Sequence, residues 1–384
     1  MLNKKLIKTR IKVFGIGGAG GNAVSHMFNS NLQGVEFICA NTDSQALFTT
    51  KASVKINLGS TGLGSGSIPE KGRLSAEKSK EEIKSALNGA NMVFITAGMG
   101  GGTGTGACPV IAEISKNLGI LTVGIVTKPF SFEGKKRYEI AEEGINKLYK
   151  YVHSLIVILN ENLYELMDED ATQEECFKSA DYVLHNACAG IAEIINVKGN
   201  INVDFEDVKT IMKEKGKSMM GTASANGKNR ARLAAEQAIS CPLLDNTNIY
   251  GAKGLLINIT ANKSLKMLET REIMNTIIHY AAEDANIIFG IAYDEDMGEK
   301  IRVTVVATGI DNIENYTNIK NNFNIKFLKN EFFSSNLEKN QLHGTKNVFL
   351  NSTSNIKLSK KIKFLEHSGL DYFDIPSFLR RLIK

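Results

Sequence analysis

The stretch of this 384-residue chain best equipped for chemistry is Gly98-Met99-Gly100-Gly101-Gly102-Thr103-Gly104-Thr105-Gly106-Ala107-Cys108-Pro109, with six glycines in nine residues. It lies between an apolar run, Met92–Ala97, that reads as a strand and a helical pattern carried by Val110, Ile111, Ile114 and Leu118. Glycine removes Cβ atoms, so the backbone turns tightly and brings several N–H groups to one point. The helix that follows aims its unpaired N-terminal N–H groups, and the positive end of its dipole, at the same point. Thr103 and Thr105 add hydroxyl donors. A loop built this way holds phosphate. A flexible connector would be Ser-rich and not clamped between strand and helix.

A second cluster stands nearer the start. Ile11–Phe14 reads as a strand entering Gly15-Ile16-Gly17-Gly18-Ala19-Gly20-Gly21-Asn22, followed by a helix and a strand, Val35–Ala40, that ends at Asn41-Thr42-Asp43. This is a βαβ unit with a nucleotide-binding signature. Alone, Gly15-x-Gly17-x-x-Gly20 with Asp43 as a ribose acid would suit an NAD-dependent oxidoreductase. The second glycine loop has no role in that reading, whereas two such loops on neighbouring strands suit a triphosphate. Gly216-Lys217-Ser218 imitates the end of a Walker A loop, but that motif's first glycine would fall at Ile211, inside a helical run. A third glycine-dense loop spans Gly59–Gly72.

The elements that must position these loops alternate. A helix over 73–88, a strand at 120–126, a helix over 138–150 and a strand at Leu155–Leu159, ending at Asn160, complete the first set. Continuous apolar strands between helices predict a parallel sheet covered on both faces, with ligands at the carboxyl ends of its strands. Residues 177–197 carry the longest helical pattern. A second, smaller α/β module follows, with helices near 205–215, 229–239 and 270–283 and strands at 254–260, 287–293 and 301–308. The fold class is therefore α/β: an N-terminal tail (1–10), a Rossmann-like parallel-sheet nucleotide-binding domain (11–176), a central helix (177–198) and a smaller domain (199–310).

After residue 310 the composition shifts, with twelve Asn in residues 311–360, and a flexible linker is expected over 311–369. The end, residues 370–384, reads as a short amphipathic helix. Asp374 can cap it, Pro376 suits its first turn, and Ile375, Phe378, Leu379 and Leu382 share a face fit for a partner's groove.

Bulk properties narrow the function classes. With 43% apolar and 23% charged residues the composition is that of a globular protein, and no apolar run approaches the roughly 18 residues of a membrane span. The five scattered cysteines predict reduced thiols and a cytoplasmic protein, without a cysteine metal site. The net charge of +5 comes from residues 311–384, which hold 12 Lys/Arg against 7 Asp/Glu, so nucleic acid is not expected as the principal partner.

Together Gly98–Pro109, Asn41-Thr42-Asp43, Thr127–Arg137, Asn202–Asp207 and the tail Asp374-Ile-Pro-Ser-Phe-Leu-Arg-Arg resemble the FtsZ family, the bacterial tubulin-like cell-division GTPases. The likeness runs from about residue 10 to 310 and resumes at the C-terminal peptide. It implies GTP and GDP as ligands, Mg²⁺ on the phosphates, head-to-tail self-assembly into filaments at the division site, and tethering partners of the FtsA or ZipA kind held through Asp374, Ile375, Pro376, Phe378 and Leu379. Position by position, it assigns phosphate binding to Gly17, Gly18, Ala19, Gly20 and Gly21 and to Gly100, Gly101, Gly102, Thr103, Gly104, Thr105 and Gly106. It assigns base contacts to Asn22, Phe177 and Asp181, and places Asn41, Glu133, Arg137 and Asn160 around the ribose and phosphates. An Asp181 carboxylate can accept from both N1–H and the 2-amino group of guanine, which favours GTP over ATP.

The resemblance gives the hydrolytic role to Asn202, Asp204 and Asp207. The two acids are i, i+3 at the start of a helix and flank one point, where they can orient a water and take its proton. The same pair also suits helix capping. Some 20 helical residues separate Asp181 from Asp204, about 30 Å at 1.5 Å each. The acids should therefore serve the GTP of the next subunit. One departure stands out: the family commonly reads Gly-Ala-Gly-Gly-Asn-Pro where this chain has Gly64-Ser-Gly-Ser67-Ile68-Pro69, so nucleotide binding is expected to be normal and turnover altered. A nicotinamide enzyme and a tubulin-like scaffold that binds nucleotide without hydrolysing it are the other two readings.

Overall fold

The computed structural model describes residues 9–164, 172–196, 203–214, 216–240 and 251–310. Asn202, the 311–369 segment and the 370–384 peptide lie outside the described residues.

In chain order the elements begin with β1 (Ile11–Ile16), α1 (Gly17–Asn29), β2 (Val35–Asn41), α2 (Ser44–Thr49), β3 (Val54–Asn57), α3 (Pro69–Lys78), α4 (Lys80–Leu87) and β4 (Met92–Gly98). Next come α5 (Thr103–Asn117), β5 (Leu121–Lys128), α6 (Lys135–Tyr149), β6 (Ser154–Leu159), α7 (Asn160–Tyr164) and α8 (Gln173–Asn196). The last are α9 (Phe205–Met212), β7 (Lys217–Ala225), α10 (Arg230–Ile239), β8 (Ala252–Ala261), α11 (Met267–Ile278), β9 (Ala281–Tyr293) and β10 (Ile301–Ile310).

Strands β3-β2-β1-β4-β5-β6 pair in that order, all parallel, which is the doubly wound pattern with its reversal between β1 and β4. The sheet continues as β7-β10-β8-β9, but β6 meets β7 through the single pair Ile156–Ser218, and β10 runs antiparallel to both its neighbours. The continuous apolar strands behave as expected: β1 and β5 are buried at every residue, because helices cover both faces.

One face of the first sheet packs on α3, α4, α5 and α6, through Phe14, Ile95, Ile111 and Leu148 among others. The other face packs on α1 and α8. That core is shared, since Val123, Ile125 and Ile156 of the first sheet, Leu184, Cys188 and Ile191 of α8, and Leu256 and Val306 of the second sheet form one cluster. Helix α8 thus has apolar partners on both sheets, which explains its broad non-polar face. A third cluster joins α10 and α11 to the outer face of β7–β10.

Several elements differ from the sequence reading. The helix expected over 73–88 is two helices, α3 and α4, broken at Ser79, and α3 begins earlier, at Pro69, where the fixed proline φ suits a first turn. Strand β7 occupies the segment that resembled a Walker loop, while β3 and α2 are too short for periodicity to reveal. Cys39, Cys108, Cys176 and Cys188 are buried and free.

Candidate nucleotide site

The glycine segments are helix starts rather than loops. Strand β1 passes directly into α1 at Gly17, and α5 begins at Thr103, so Gly17–Asn22 and Thr103–Gly106 lie in the opening turns of two helices. The turn at Gly17 needs φ +73°, a conformation that favours glycine. Neither helix has a side-chain cap or an acid in its first turn. Their opening N–H groups are therefore left to an external acceptor. The two starts converge, because a Cβ added at Gly17 would stand 3.1 Å from the Gly104 nitrogen. They emerge from β1 and β4, the point where the strand order reverses, which is where open α/β sheets bind ligands.

Both threonine hydroxyls are engaged by the protein. Thr103 Oγ1 lies 2.6 Å from Thr42 Oγ1, and Thr105 Oγ1 accepts the Gly100 N–H at 2.9 Å. The Thr105 hydroxyl accepts in that bond and keeps its own O–H to donate, beside the backbone N–H groups of the two opening turns.

Beside the helix starts opens a cleft lined by Ala19, Asn22, Glu133, Arg137, Asn160, Phe177 and Asp181, seven of the residues expected at the site. Glu133 accepts the Phe130 N–H at 2.9 Å and pairs with Arg137 at 3.1 Å, so the acid aims the guanidinium. Asn160, at the junction of β6 and α7, is buried with its Oδ1 lacking a hydrogen-bond partner. Phe177 is 42% exposed and meets Phe130 edge to face, with ring centroids 5.4 Å apart. Asp181 lies one turn further along α8. Burial pushes its carboxyl up to about 6, and no cation of the protein offsets that cost among the described residues. A desolvated acid without a partner is an acceptor set aside for a donor from outside.

Sequence reasoning missed Met99, Pro129, Ala180 and Leu184, which also line the cleft. Ala180 and Leu184 follow Phe177 and Ala180 by one helical turn each, a spacing that could have found them had their apolar character not marked them as core. Asn41 is buried and turns its Oδ1 to the Asp43 N–H at 3.2 Å, outside the lining of the cleft.

The two acids expected to hydrolyse are not at the cleft. Asp204 caps α9, accepting the Asp207 N–H at 2.9 Å, and both residues are exposed. From Asp181 to Asn196 α8 advances about 22 Å. Asn196 Nδ2 there donates to the Gly34 carbonyl, just before β2 begins, at the edge of the sheet opposite the cleft. Lys209 and Lys213 of α9 act on His153, immediately before β6, at that same edge.

Comparison with known proteins decides the family. The Tubulin/FtsZ family GTPase domain matches residues 10–168, and the FtsZ family C-terminal domain matches residues 216–311. The cell division protein FtsZ of Coxiella burnetii is 46% identical over 376 residues, covering 97% of this chain and 96% of that protein.

The chain belongs to the FtsZ family.

The FtsZ of Pseudomonas aeruginosa is 47% identical over 97% of this chain and 96% of its own length. Among solved structures, an empty FtsZ dimer from M. jannaschii superposes with a TM-score of 0.76 at 41% identity, covering 81% of this chain and 90% of that one. CetZ1 of Haloferax volcanii, at 20% identity and a TM-score of 0.69, shares the fold. The chain is thus a tubulin-like cell-division GTPase of the FtsZ family, and its ligands are GTP and GDP. The nicotinamide reading of the first glycine cluster falls with that result. No helix among the described residues is long and apolar enough to cross a membrane.

Proposed function

We propose that this FtsZ-family chain hydrolyses GTP between subunits. The phosphates rest on the converging starts of α1 and α5, against Gly17–Gly21 and Gly100–Gly106, held by the unpaired N–H groups of the two opening turns and by the helix dipoles. Phe177 faces the base, and Asp181 accepts from guanine N1–H and the 2-amino group. Adenine presents an acceptor at N1 and has no 2-amino group, so ATP leaves the half-buried acid unpaired. Residues 11–176 act as the binding domain and 199–310 as the supplier of acids.

The observation that carries the reading is the separation of Asp181 from Asp204 and Asp207 across the length of α8. A general base works within one hydrogen bond, or one water, of its proton. The acids therefore serve the GTP held by an adjoining copy stacked on the cleft. There Asp207, with the free oxygen of Asp204 and the amide of Asn202, orients a water. As the water oxygen bonds to the γ-phosphorus and the bond to the β-phosphate oxygen breaks, the proton passes to a carboxylate.

Among the described residues no three carboxylates, histidines or thiols converge into a metal cage, so Mg²⁺ would arrive with the nucleotide, ligated by phosphate and water oxygens. The filaments assemble at the division site, and the 370–384 peptide, through Asp374, Ile375, Pro376, Phe378 and Leu379, docks on tethers of the FtsA or ZipA kind.

The test is phosphate release against protein concentration, with light scattering under GTP, GDP and ATP. Turnover per molecule should rise steeply above a threshold and only with GTP. A rate per molecule that stays constant on dilution sinks the proposal, and GTP-driven assembly without phosphate release would favour the non-hydrolysing scaffold.

A further inference from the structure

Two histidines meet where helices α1 and α8 pack together. His26 of α1 and His185 of α8 stand edge to face, with ring centroids 5.8 Å apart. Each shuts one ring nitrogen away from water, His26 Nε2 and His185 Nδ1, and neither nitrogen has a hydrogen-bond partner among the described residues. Tyr182 stacks on His185 at 6.5 Å and meets His26 edge-on at 6.4 Å, so it walls one side of the pair. Tyr182 is itself 55% exposed and both histidines are half-buried, which keeps the pair within reach of solvent.

A polar atom held out of water without a partner costs stability unless something outside the chain satisfies it. Here two such atoms lie on neighbouring helices, and both are imidazole nitrogens, the commonest of metal ligands. A zinc ion holds such nitrogens at about 2.0–2.1 Å, with each ring centre about 1.2 Å further back, so two imidazoles at the tetrahedral angle have centroids about 5.2 Å apart. The observed 5.8 Å needs a closure of only about 0.6 Å, which a small side-chain rotation supplies. No third imidazole, carboxylate or thiol joins the pair among the described residues, so water oxygens would complete the coordination. Two imidazoles suit Zn²⁺ over Mg²⁺ or Ca²⁺, which take oxygen ligands. One fixed positive charge acts on His185, that of Arg302 in β10, but Glu193 holds Arg302 at 2.8 Å and offsets its repulsion of a cation.

We propose that His26 and His185 form a two-imidazole site for a divalent cation of the Zn²⁺ kind, which clamps α1 to α8. His26 follows Asn22, and His185 follows Asp181, by one helical turn each, so the clamp lies one turn from the wall of the cleft. The site does not depend on which nucleotide the cleft holds.

The test titrates Zn²⁺ into the full-length chain near neutral pH, in reducing buffer and freed of nucleotide, whose phosphates would compete for the ion. Calorimetry and the thermal midpoint are the two readouts. The tightest site should take one ion per chain, and a large excess of Mg²⁺ should not displace it. At about a hundredfold excess over its dissociation constant the ion should raise the midpoint by about 5 °C. His26→Gln and His185→Gln, made separately, should each weaken binding at least about tenfold and remove that rise. His279→Gln, at the end of α11, should change neither. A wild-type chain that binds no Zn²⁺, a site that survives either substitution, an equal loss in His279→Gln, or a midpoint that the ion leaves unmoved would overturn the proposal.

Discussion

A Cβ placed on Gly17 would stand 3.1 Å from the backbone nitrogen of Gly104, so the starts of α1 and α5 pack with no room for a side chain between them. The glycines at this site nonetheless divide into two kinds. A Cβ at Gly106 would overlap the Pro69 carbonyl at the start of α3, whereas one at Gly18 meets nothing within 4 Å. Gly106→Ala should lose about 2–3 kcal/mol, read as a lowered midpoint in denaturant. Gly18→Ala should gain up to about 1 kcal/mol, through helix propensity. If it nevertheless loses GDP affinity, Gly18 faces the ligand. Equal stability losses in both variants would contradict this division.

Asp181 sets a pH dependence. Its folded carboxyl titrates near 6, above its unfolded value, so the nucleotide-free protein is stabilised at low pH and loses that contribution as pH rises through about 6. Guanine needs the ionised form, so GDP affinity should weaken about tenfold per unit below pH 6. Asp181→Asn should remove this break, bind GDP at least about a hundredfold more weakly, and stabilise the empty protein above pH 6. Titration with a fluorescent GDP analogue from pH 5 to 8 gives both readings, and a flat wild-type profile would count against the assignment.

Hydrolysis between subunits, as proposed, predicts complementation. Asp181→Asn should lack a competent cleft and Asp207→Ala a competent base, so each alone should turn over slowly. Mixed, the cleft of one can meet the acids of the other, and phosphate release should exceed the sum of the two. Asp207 is the better target, because Asp204 caps α9 and its loss would add about 1 kcal/mol of destabilisation. A strictly additive mixture argues for hydrolysis within one chain.

Ser67 occupies a left-handed conformation, φ +58°, that favours glycine. Ser67→Gly should relieve strain and raise stability by up to about 1 kcal/mol, seen as a higher thermal midpoint. An unchanged or lower midpoint would show that the serine side chain has compensating contacts.

Two half-buried histidines act in the opposite sense to Asp181. His153 Nδ1 accepts the Thr122 N–H at 3.0 Å, which requires that nitrogen to be unprotonated, and burial lowers its proton affinity. Burial likewise holds His185 down to about 4. Both contribute stability that is intact above about pH 6.5 and lost as pH falls through their folded values. Replacing His185 by Gln should flatten the acid limb of the pH–stability curve between about 6.5 and 4, and a limb of unchanged slope would rule it out as a contributor.

The sheet and its order of alternation were legible because β1, β4 and β5 are predominantly apolar runs without a regular polar alternation, a pattern that fits strands covered on both faces. Seven cleft residues were legible through motif resemblance and meet in one place. Met99 and Leu184 were not, because a residue that lines a cleft from behind has the same apolar signature as one in the core. Nor did spacing reveal that Thr103 points toward Thr42 and Ser65, since that contact joins positions 61 and 38 residues apart. The break at Ser79 has no glycine or proline to announce it.

The lone Ile156–Ser218 rung between β6 and β7 bears on mechanics. In the proposed polymer, strung from cleft to α9, tension would run through every subunit, and each would pass that load from one sheet to the other. One rung offers little resistance to shear, so the force runs along α8, whose side chains grip both sheets. Stretching such a polymer would therefore strain this helix before it disturbed the grip on the nucleotide.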